Sequence, residues 1–420
     1  MNYTMLTDFY EITMANGYLE CGMGDRIAYF DMYFRQAPDG AGFAIMAGVK
    51  QLIDYLSSLE FSKEDIEFLR SKNMFCEKFL DYLSDFKFEC DVWAIPEGTP
   101  IFPNEPIVTV RGPIIQAQFV ETMVLLTINH QSLIATKSNR IVRAANGIPV
   151  MEFGSRRAQG YDGAIYGARA AYIGGVAGTA CTISDQMFGV PALGTMAHSW
   201  VQSFDTEYDA FKAYAKKARK MLDDAGWTEA SVCASNSLDE YIIRDILLQG
   251  AKIDSFGVGE RLITSKSEPV FGGVYKLVAV EHQGEIIPRI KISENVQKIT
   301  NPYFKKVVRL YSNETGMAIA DVLTTYDEVI DDALPYEIFD PQNTWKRKVI
   351  TDFKAVELQV PIFKSGKLVY ESPSLEEIKA YAEEELSLIW DEVKRFENPH
   401  TYYVDLSQKL WDIRYDLLKA

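Results

Sequence analysis

An α/β fold is predicted for this chain, with a parallel sheet between two flanking parts that mix strands and helices. Three observations lead there. From Pro149 to about Leu310, short apolar strands alternate with helices, and that alternation implies a parallel sheet. On either side, residues 26–110 and 346–363 carry strand-like runs separated by turn-rich segments. The 420 residues are 47% hydrophobic and 24% charged, ordinary for a globular chain long enough for two or three domains and a large core.

The first segment, LTDFYEITMANGY (Leu6–Tyr18), reads as a helix capped by Thr7 or Asp8, with Tyr10, Met14 and Tyr18 near one face. Arg26–Phe34 reads as a strand, 49–59 and 63–72 as helices, and Phe86–Trp93 and Ile107–Val110 as strands. Pro96, Pro100, Pro103 and Pro106 make the stretch before Ile107 turns and edge strand. Gln118–Ala145 is a long apolar helix ending in Lys137, Arg140 and Arg143, basic residues that suit a helix C-terminus. His130 within it is read as structural.

In the central part the expected strands are 150–153, 190–193, 231–234 and 252–256. The expected helices are 158–174, 206–224 and 238–249, the last closed by Gly250. Val274–Val280 is a further strand. Toward the end, 326–340 is acidic and irregular, 346–356 and 359–363 are strands, and Leu375–Phe396 is an amphipathic helix with a solvated acidic face. Periodicity alone does not separate an open sheet from a barrel.

Composition narrows the function. A net charge of −16 argues against general nucleic-acid binding but leaves room for an anionic small molecule held by local cations. No apolar run reaches membrane-span length, and the amino terminus has no signal-peptide pattern. Five cysteines, none spaced as CxxC, fit reduced thiols in a cytoplasmic protein.

Two strand ends carry the chemistry. The strand 150–153 runs into Gly154, Ser155, Arg156 and Arg157, and the strand 190–193 runs into Gly194, Thr195 and His198. Ligands of α/β folds sit beyond the carboxyl ends of strands. A planar guanidinium meets carboxylate or phosphate with two donors, so paired arginines there suit an anionic substrate; surface ion pairs are the plainer reading. His198 can act as a nucleophile toward a phosphoryl group, although a lone histidine is more often structural. In IDSFGVGER (253–261), Gly257 and Gly259 let backbone N–H groups approach a phosphate, while a GxG is commonly just a turn.

EFGSRRAQG (152–160) and GTMAHSWV (194–201), with LTDFYEITMANGY near the start and PHTYYVDLS (399–407) near the end, resemble the nicotinate phosphoribosyltransferase family. The resemblance implies an irregular α/β barrel at 116–325. It also implies a β-rich accessory domain built from 1–115, with 326–420 packing on it. The activity implied is formation of nicotinate mononucleotide and pyrophosphate from nicotinate and phosphoribosyl diphosphate in NAD salvage. His198 would be phosphorylated by ATP, Mg²⁺ would accompany the diphosphate, and Thr195 would lie near nicotinate. Ser235 and Asn236, in ASNSLDE (234–240), would also bind substrate, and Gly257 and Gly259 would cradle the 5-phosphate. Tyr10 would stack on the pyridine ring in the partner's site, which makes a homodimer with shared active sites. Arg156 and Arg157 favour the acid over nicotinamide. Lys137 and Arg140 fall in a TKxxR pattern typical of the family, without an assigned role.

The sequence departs from the family at three places, one of them a loop after KISENVQK where Pro302-Tyr303-Phe304 replaces the family's PG turn. Glu260 stands where many relatives have threonine, which sets a carboxylate beside the expected phosphate. Between the histidine helix and ASNSLDE, the family's acidic ribose- and magnesium-binding stretches have no counterpart. The chain passes from AFKAYAK directly into KARKML at Lys216–Lys217, short by a βαβ unit of roughly 30 residues or more. Either the chain lacks that unit, or the molecule carries a stretch outside this sequence. Exposed strand edges, which proteins avoid, favour the second or a compensating rearrangement. The alternative function is a non-catalytic homologue that binds nicotinate or nucleotide.

Overall fold

A computed structural model describes residues 2–194, 197–207, 209–210, 233–295 and 298–419. The chain divides into two compact units, one made of Met1–Thr136 with Ser267–Ala420, the other of Lys137–Lys266.

The first unit opens with α1 (Phe9–Glu20), β1 (Ile27–Tyr33), β2 (Ala44–Ile45), α2 (Val49–Ser57), α3 (Lys63–Ser71) and α4 (Glu77–Ser84). Next come β3 (Asp91–Ala94), β4 (Pro100–Ile101), β5 (Val108–Pro113), α5 (Ile114–Phe119) and α6 (Glu121–Ala144). The second unit holds β6 (Val150–Glu152), α7 (Gly160–Ile173), β7 (Gly178–Thr179), α8 (Thr182–Phe188), α9 (His198–Gln202), β8 (Cys233–Ser235) and β9 (Ser255–Val258), with helices Glu240–Leu248 and Glu260–Ile263. The chain returns to the first unit with β10 (Val274–His282), β11 (Glu285–Pro288), β12 (Lys305–Ser312), β13 (Ala318–Thr325), β14 (Tyr336–Phe339) and β15 (Arg347–Ile350). It ends with β16 (Phe353–Glu357), β17 (Val360–Lys364), β18 (Lys367–Leu368), helix Leu375–Ser387, β19 (Val404–Leu406) and helix Gln408–Lys419.

The first unit is built on a seven-stranded antiparallel sheet, ordered β11-β10-β1-β5-β3-β17-β18. Strand β1 shows why it forms. Its alternation sends Ala28, Phe30 and Met32 into the main core with α1, α2 and α5, as a two-residue period requires. The opposite face carries Tyr29, packed on Phe304, and Asp31, whose buried carboxylate pairs with the buried Lys305 ammonium. A second sheet, β16-β12-β13-β19, brings the carboxyl-terminal segment in parallel beside β13. Between these strands, fully buried Arg309 holds Asp321 through two bonds of 2.8 and 2.7 Å, and Tyr402 donates to the same carboxylate at 2.9 Å. The second unit is a parallel sheet ordered β7-β6-β9-β8. The α/β class is therefore as expected; the described residues do not close the parallel strands into a barrel.

Several boundaries differ from expectation for local reasons. The strand expected at 86–93 is confined to β3, because Gln116 Oε1 takes the Glu89 N–H at 2.7 Å and removes it from any ladder. The helix expected over 118–145 starts earlier and breaks between Phe119 and Glu121. The helix expected to reach Phe396 stops at Ser387. The strand expected at 190–193 is reduced to a single parallel bridge from Thr179 to Ala192. Most of the helix expected at 206–224, Thr195, and the junction at Lys216–Lys217 lie outside the described residues. No helix among the described residues is long and apolar enough to cross a membrane.

On α1, Glu11 is fully buried and accepts from Thr122 at 2.6 Å and from Thr7. Burial lifts its pKa from 4.5 to about 7. A carboxyl whose folded pKa lies above its unfolded one is stabilising when neutral and costs stability once ionised. The stability of Glu11→Gln relative to wild type is therefore expected to rise as pH increases from about 4.5 through 7 and to level off above it. Thermal midpoints of the two proteins at pH 5, 6, 7 and 8 check this; a difference that does not change with pH refutes it.

Candidate active site

Parallel pairing places four strand ends side by side. Ser235 of β8 sits opposite Gly257 of β9, Val258 opposite Glu152 of β6, and Glu152 opposite Thr179 of β7. Whatever follows each strand therefore emerges at one edge of the sheet. After β6 comes a single 3₁₀ turn, Ser155–Arg157, whose two arginines are exposed. After β8 comes Asn236 with φ 87° and Ser237 with φ 54°. Two successive left-handed non-glycine residues are costly, and such strain clusters at functional sites. After β9 comes Gly259, which precedes the short helix Glu260–Ile263.

The glycines at this edge are required by packing. A Cβ on Gly154 would lie 2.6 Å from Ile263 Cγ2 and 2.7 Å from the Gly259 carbonyl oxygen. A Cβ on Gly257 would lie 2.8 Å from the Phe153 ring. Gly257 is thus a strand residue closed over by Phe153, whereas Gly259 stands at the turn itself. His198 is exposed and opens α9. Five residues earlier, the Leu193 N–H donates to the Thr179 carbonyl at 2.8 Å, which ties the approach to His198 to the same sheet. Tyr10 belongs to α1 in the other unit and is 43% exposed. Burial of its ring and the neighbouring Glu121 carboxylate raise its pKa above the usual tyrosine range.

Charges around the turns are arranged in pairs. Glu260 points its carboxylate at Lys266 Nζ, 2.6 Å away. Lys266 first, and the fields of Arg157 and Arg261 after it, hold this carboxyl below the usual range. The departure at 260 therefore does not leave a lone carboxylate at the glycine turn. Asp239 caps helix Glu240–Leu248 through the Tyr241 and Ile242 N–H groups at 3.1 and 2.9 Å and also pairs with Arg261. Beside it, fully buried Glu240 takes Lys137 Nζ at 2.8 Å and Arg140 Nε at 3.1 Å, while Arg140 reaches the Tyr241 hydroxyl. The TKxxR cations therefore meet ASNSLDE, and that motif's last two acids act as scaffold for Ser235 and Asn236.

Sequence reasoning missed Glu152, Thr179 and Arg261. Glu152 is buried at the end of β6, where it accepts from Thr179 Oγ1 at 2.5 Å and from the Gly154 N–H. No local pattern marks these residues, because the partners that hold them come from other strands and turns. Among the described residues, no group of three or more His, Cys, Asp or Glu is placed to hold a metal ion.

Two domain profiles match the chain. The nicotinate phosphoribosyltransferase N-terminal domain matches residues 5–129 and the C-terminal domain residues 304–414. The nicotinate phosphoribosyltransferase of Bacillus subtilis is 37% identical, over 96% of this chain and 93% of that protein.

The chain belongs to the nicotinate phosphoribosyltransferase family.

The human nicotinate phosphoribosyltransferase is 27% identical over 97% of this chain and 95% of its own. A crystal structure of the human nicotinic acid phosphoribosyltransferase superposes with a TM-score of 0.83 at 24% identity, covering 98% of this chain and all of that one. A nicotinate-nucleotide pyrophosphorylase from Pyrococcus furiosus shares the fold at a TM-score of 0.65 and 21% identity. The alignment with the Bacillus subtilis protein runs over 455 positions, 35 more than the 420 residues of this chain. That relative therefore carries at least this many residues without a counterpart here, in keeping with the break that the motifs place at Lys216–Lys217.

Removing Glu240 takes the carboxylate from between two buried cations, a change worth about 3–5 kcal/mol in comparable buried pairs. Glu240→Ala is expected to lose stability of that order in denaturant unfolding followed by fluorescence, while Glu260→Ala, at an exposed pair, shifts the midpoint little.

Proposed function

We propose that the protein is a nicotinate phosphoribosyltransferase acting in NAD salvage. The observation that carries this reading is the exposed Arg156–Arg157 turn, set at the same sheet edge as the Ser235–Asn236 and Gly257–Gly259 strand ends. In the reaction, the pyridine nitrogen of nicotinate forms a bond to C1 of phosphoribosyl diphosphate. The C1–O bond breaks, and pyrophosphate leaves with the electron pair. The centre between them is oxocarbenium-like, so alignment of the two substrates and stabilisation of the departing charge supply the acceleration.

Arg156 and Arg157 hold the nicotinate carboxylate and the diphosphate, anions that a guanidinium fork fits. Thr195 is assigned to nicotinate by its match to the family motif GTMAHSWV. Ser235 and Asn236 contact the ribosyl phosphate, and the Gly259 turn leaves room for the 5-phosphate. His198 takes the γ-phosphoryl of ATP on a ring nitrogen with release of ADP, and water then cleaves the phosphohistidine. His198 heads an exposed helix, which leaves its ring accessible to a nucleotide. Magnesium keeps several waters and binds through substrate phosphates, so it would be carried by the diphosphate; the described side chains offer no cage for it. Phe9, Tyr10 and Met14 of α1 are 46, 43 and 38% exposed, and Leu6 just before the helix is 45% exposed. This uncovered apolar face supports a homodimer in which Tyr10 stacks on nicotinate in the partner's site. Its unpaired cysteines support a cytoplasmic location.

A second reading, a non-catalytic binder of nicotinate or nucleotide, is favoured by one observation: the acidic stretches expected before ASNSLDE are absent from the sequence.

The two are separated by incubating the protein with nicotinate, phosphoribosyl diphosphate, ATP and Mg²⁺ and measuring nicotinate mononucleotide. Product is expected. Arg157→Ala is expected to lower kcat/KM by about 10²-fold or more, the effect of deleting one preorganised anion donor. His198→Ala is expected to abolish ATP hydrolysis. A folded protein that binds nicotinate yet forms no nucleotide establishes the second reading.

A further inference from the structure

The arginine turn and the 191–193 segment, which precedes His198 in the chain, are joined by hydrogen bonds through two buried side chains. Gly154, which starts the turn, donates its N–H to Glu152 Oε1. The other carboxylate oxygen accepts from Thr179 Oγ1 at 2.5 Å. The Thr179 backbone then holds the next segment from both sides: its N–H donates to the Pro191 carbonyl at 3.0 Å, and its carbonyl accepts from the Leu193 N–H at 2.8 Å. Glu152 and Thr179 are each 0% exposed, so water cannot replace the bonds between them.

Two further features show that the path is built. A Cβ on Gly178 would lie 2.4 Å from the Pro191 carbonyl oxygen and 2.7 Å from Leu193 Cδ1, so the 191–193 segment rests directly on β7. The Cys181 N–H donates to Thr179 Oγ1 at 3.0 Å, which orients that hydroxyl toward the carboxylate. No cation pairs with Glu152 among the described residues, and burial raises its pKa. A buried carboxylate without a cation is costly, and here it is held by donors that belong to the two segments flanking the site.

We propose that Glu152 and Thr179 are positioning residues that couple the Arg156–Arg157 turn to the His198 segment, keeping ATP hydrolysis in step with nucleotide formation. The proposal rests on the phosphoribosyltransferase reading given above. Neither residue touches substrate. A displacement of the 191–193 segment passes through Thr179 and Glu152 to the Gly154 N–H and so to the arginines.

The test measures ATP consumed per nicotinate mononucleotide formed, KM for nicotinate, and the thermal midpoint, in the full chain. Thr179→Val removes the hydroxyl. It is expected to stay folded, raise ATP consumed per product several-fold and raise KM. Thr179→Ser, which keeps the hydroxyl, restores both. Gly178→Ala, which displaces the edge segment without touching Glu152, is expected to uncouple in the same way and serves if Thr179→Val does not fold. An active wild type whose folded Thr179→Val or Gly178→Ala variant keeps both ratio and KM overturns the coupling, as does a loss that Thr179→Ser does not rescue. A wild type that forms no nucleotide overturns the functional reading and the coupling with it.

Discussion

The candidate site depends on how closely β6 and β9 approach at their carboxyl ends. Phe153 lies over Gly257, and Gly154 lies against Ile263 and the Gly259 carbonyl, at distances that admit no side chain on either glycine. Because protein interiors are close-packed and transmit displacement, a methyl group at either position would push the arginine turn away from the β9 turn. The FG of EFGSRR and the GVG of SFGVGER therefore form one constraint written in two places. Their partners are each other first, and a ligand only through the geometry that results.

Buried charge serves a similar purpose in each unit. Glu240 gathers Lys137 and Arg140 beneath the loop that carries Ser235 and Asn236. Arg309 gathers Asp321 and Tyr402 where β12, β13 and the carboxyl-terminal segment meet. Such clusters repay their desolvation only when geometry is good and every partner is present. Their contribution is to admit a single arrangement of the strands that carry them, which is the property a site needs from its scaffold.

Much of this was legible in the sequence, and the exceptions have physical causes. Strands with a clear run of apolar and aromatic residues, such as β1, stand where expected, as do helices with clear caps such as α3, where Ser62 and Asp65 form a capping box. The β8 and β9 ends and the arginine turn stand together at the edge where α/β ligands bind. The strand at 190–193 was overstated, because an apolar run with a single bridge to Thr179 has the same composition as a paired strand. Helix Gln408–Lys419 was missed, its polar face masking a stripe in which only Leu410 is buried. Glu152 and Thr179 were invisible for a different reason. Their partners lie 27 residues apart in the chain, and no local pattern marks a carboxylate that will be buried against a hydroxyl from the neighbouring strand. Glu260 looked hostile to a phosphate until Lys266, six residues on, was seen to hold it.

The seven-stranded sheet has one more consequence, for the order in which the chain acquires its structure. Its inner strand β1 pairs with β10, and the Tyr29 hydroxyl donates to a Glu281 carboxylate 252 residues later. Everything that forms the second unit is synthesised between those two partners. During translation β1 can meet β5 early but must await β10 until residues 137–266 have left the ribosome, so one edge of β1 stays open for that interval. Domains generally fold as they emerge, amino-terminal first, and closing so distant a pair is slow. The intervening unit, whose strands are all neighbours in a short span of sequence, is therefore the part that can mature first, with the discontinuous unit completed only after it.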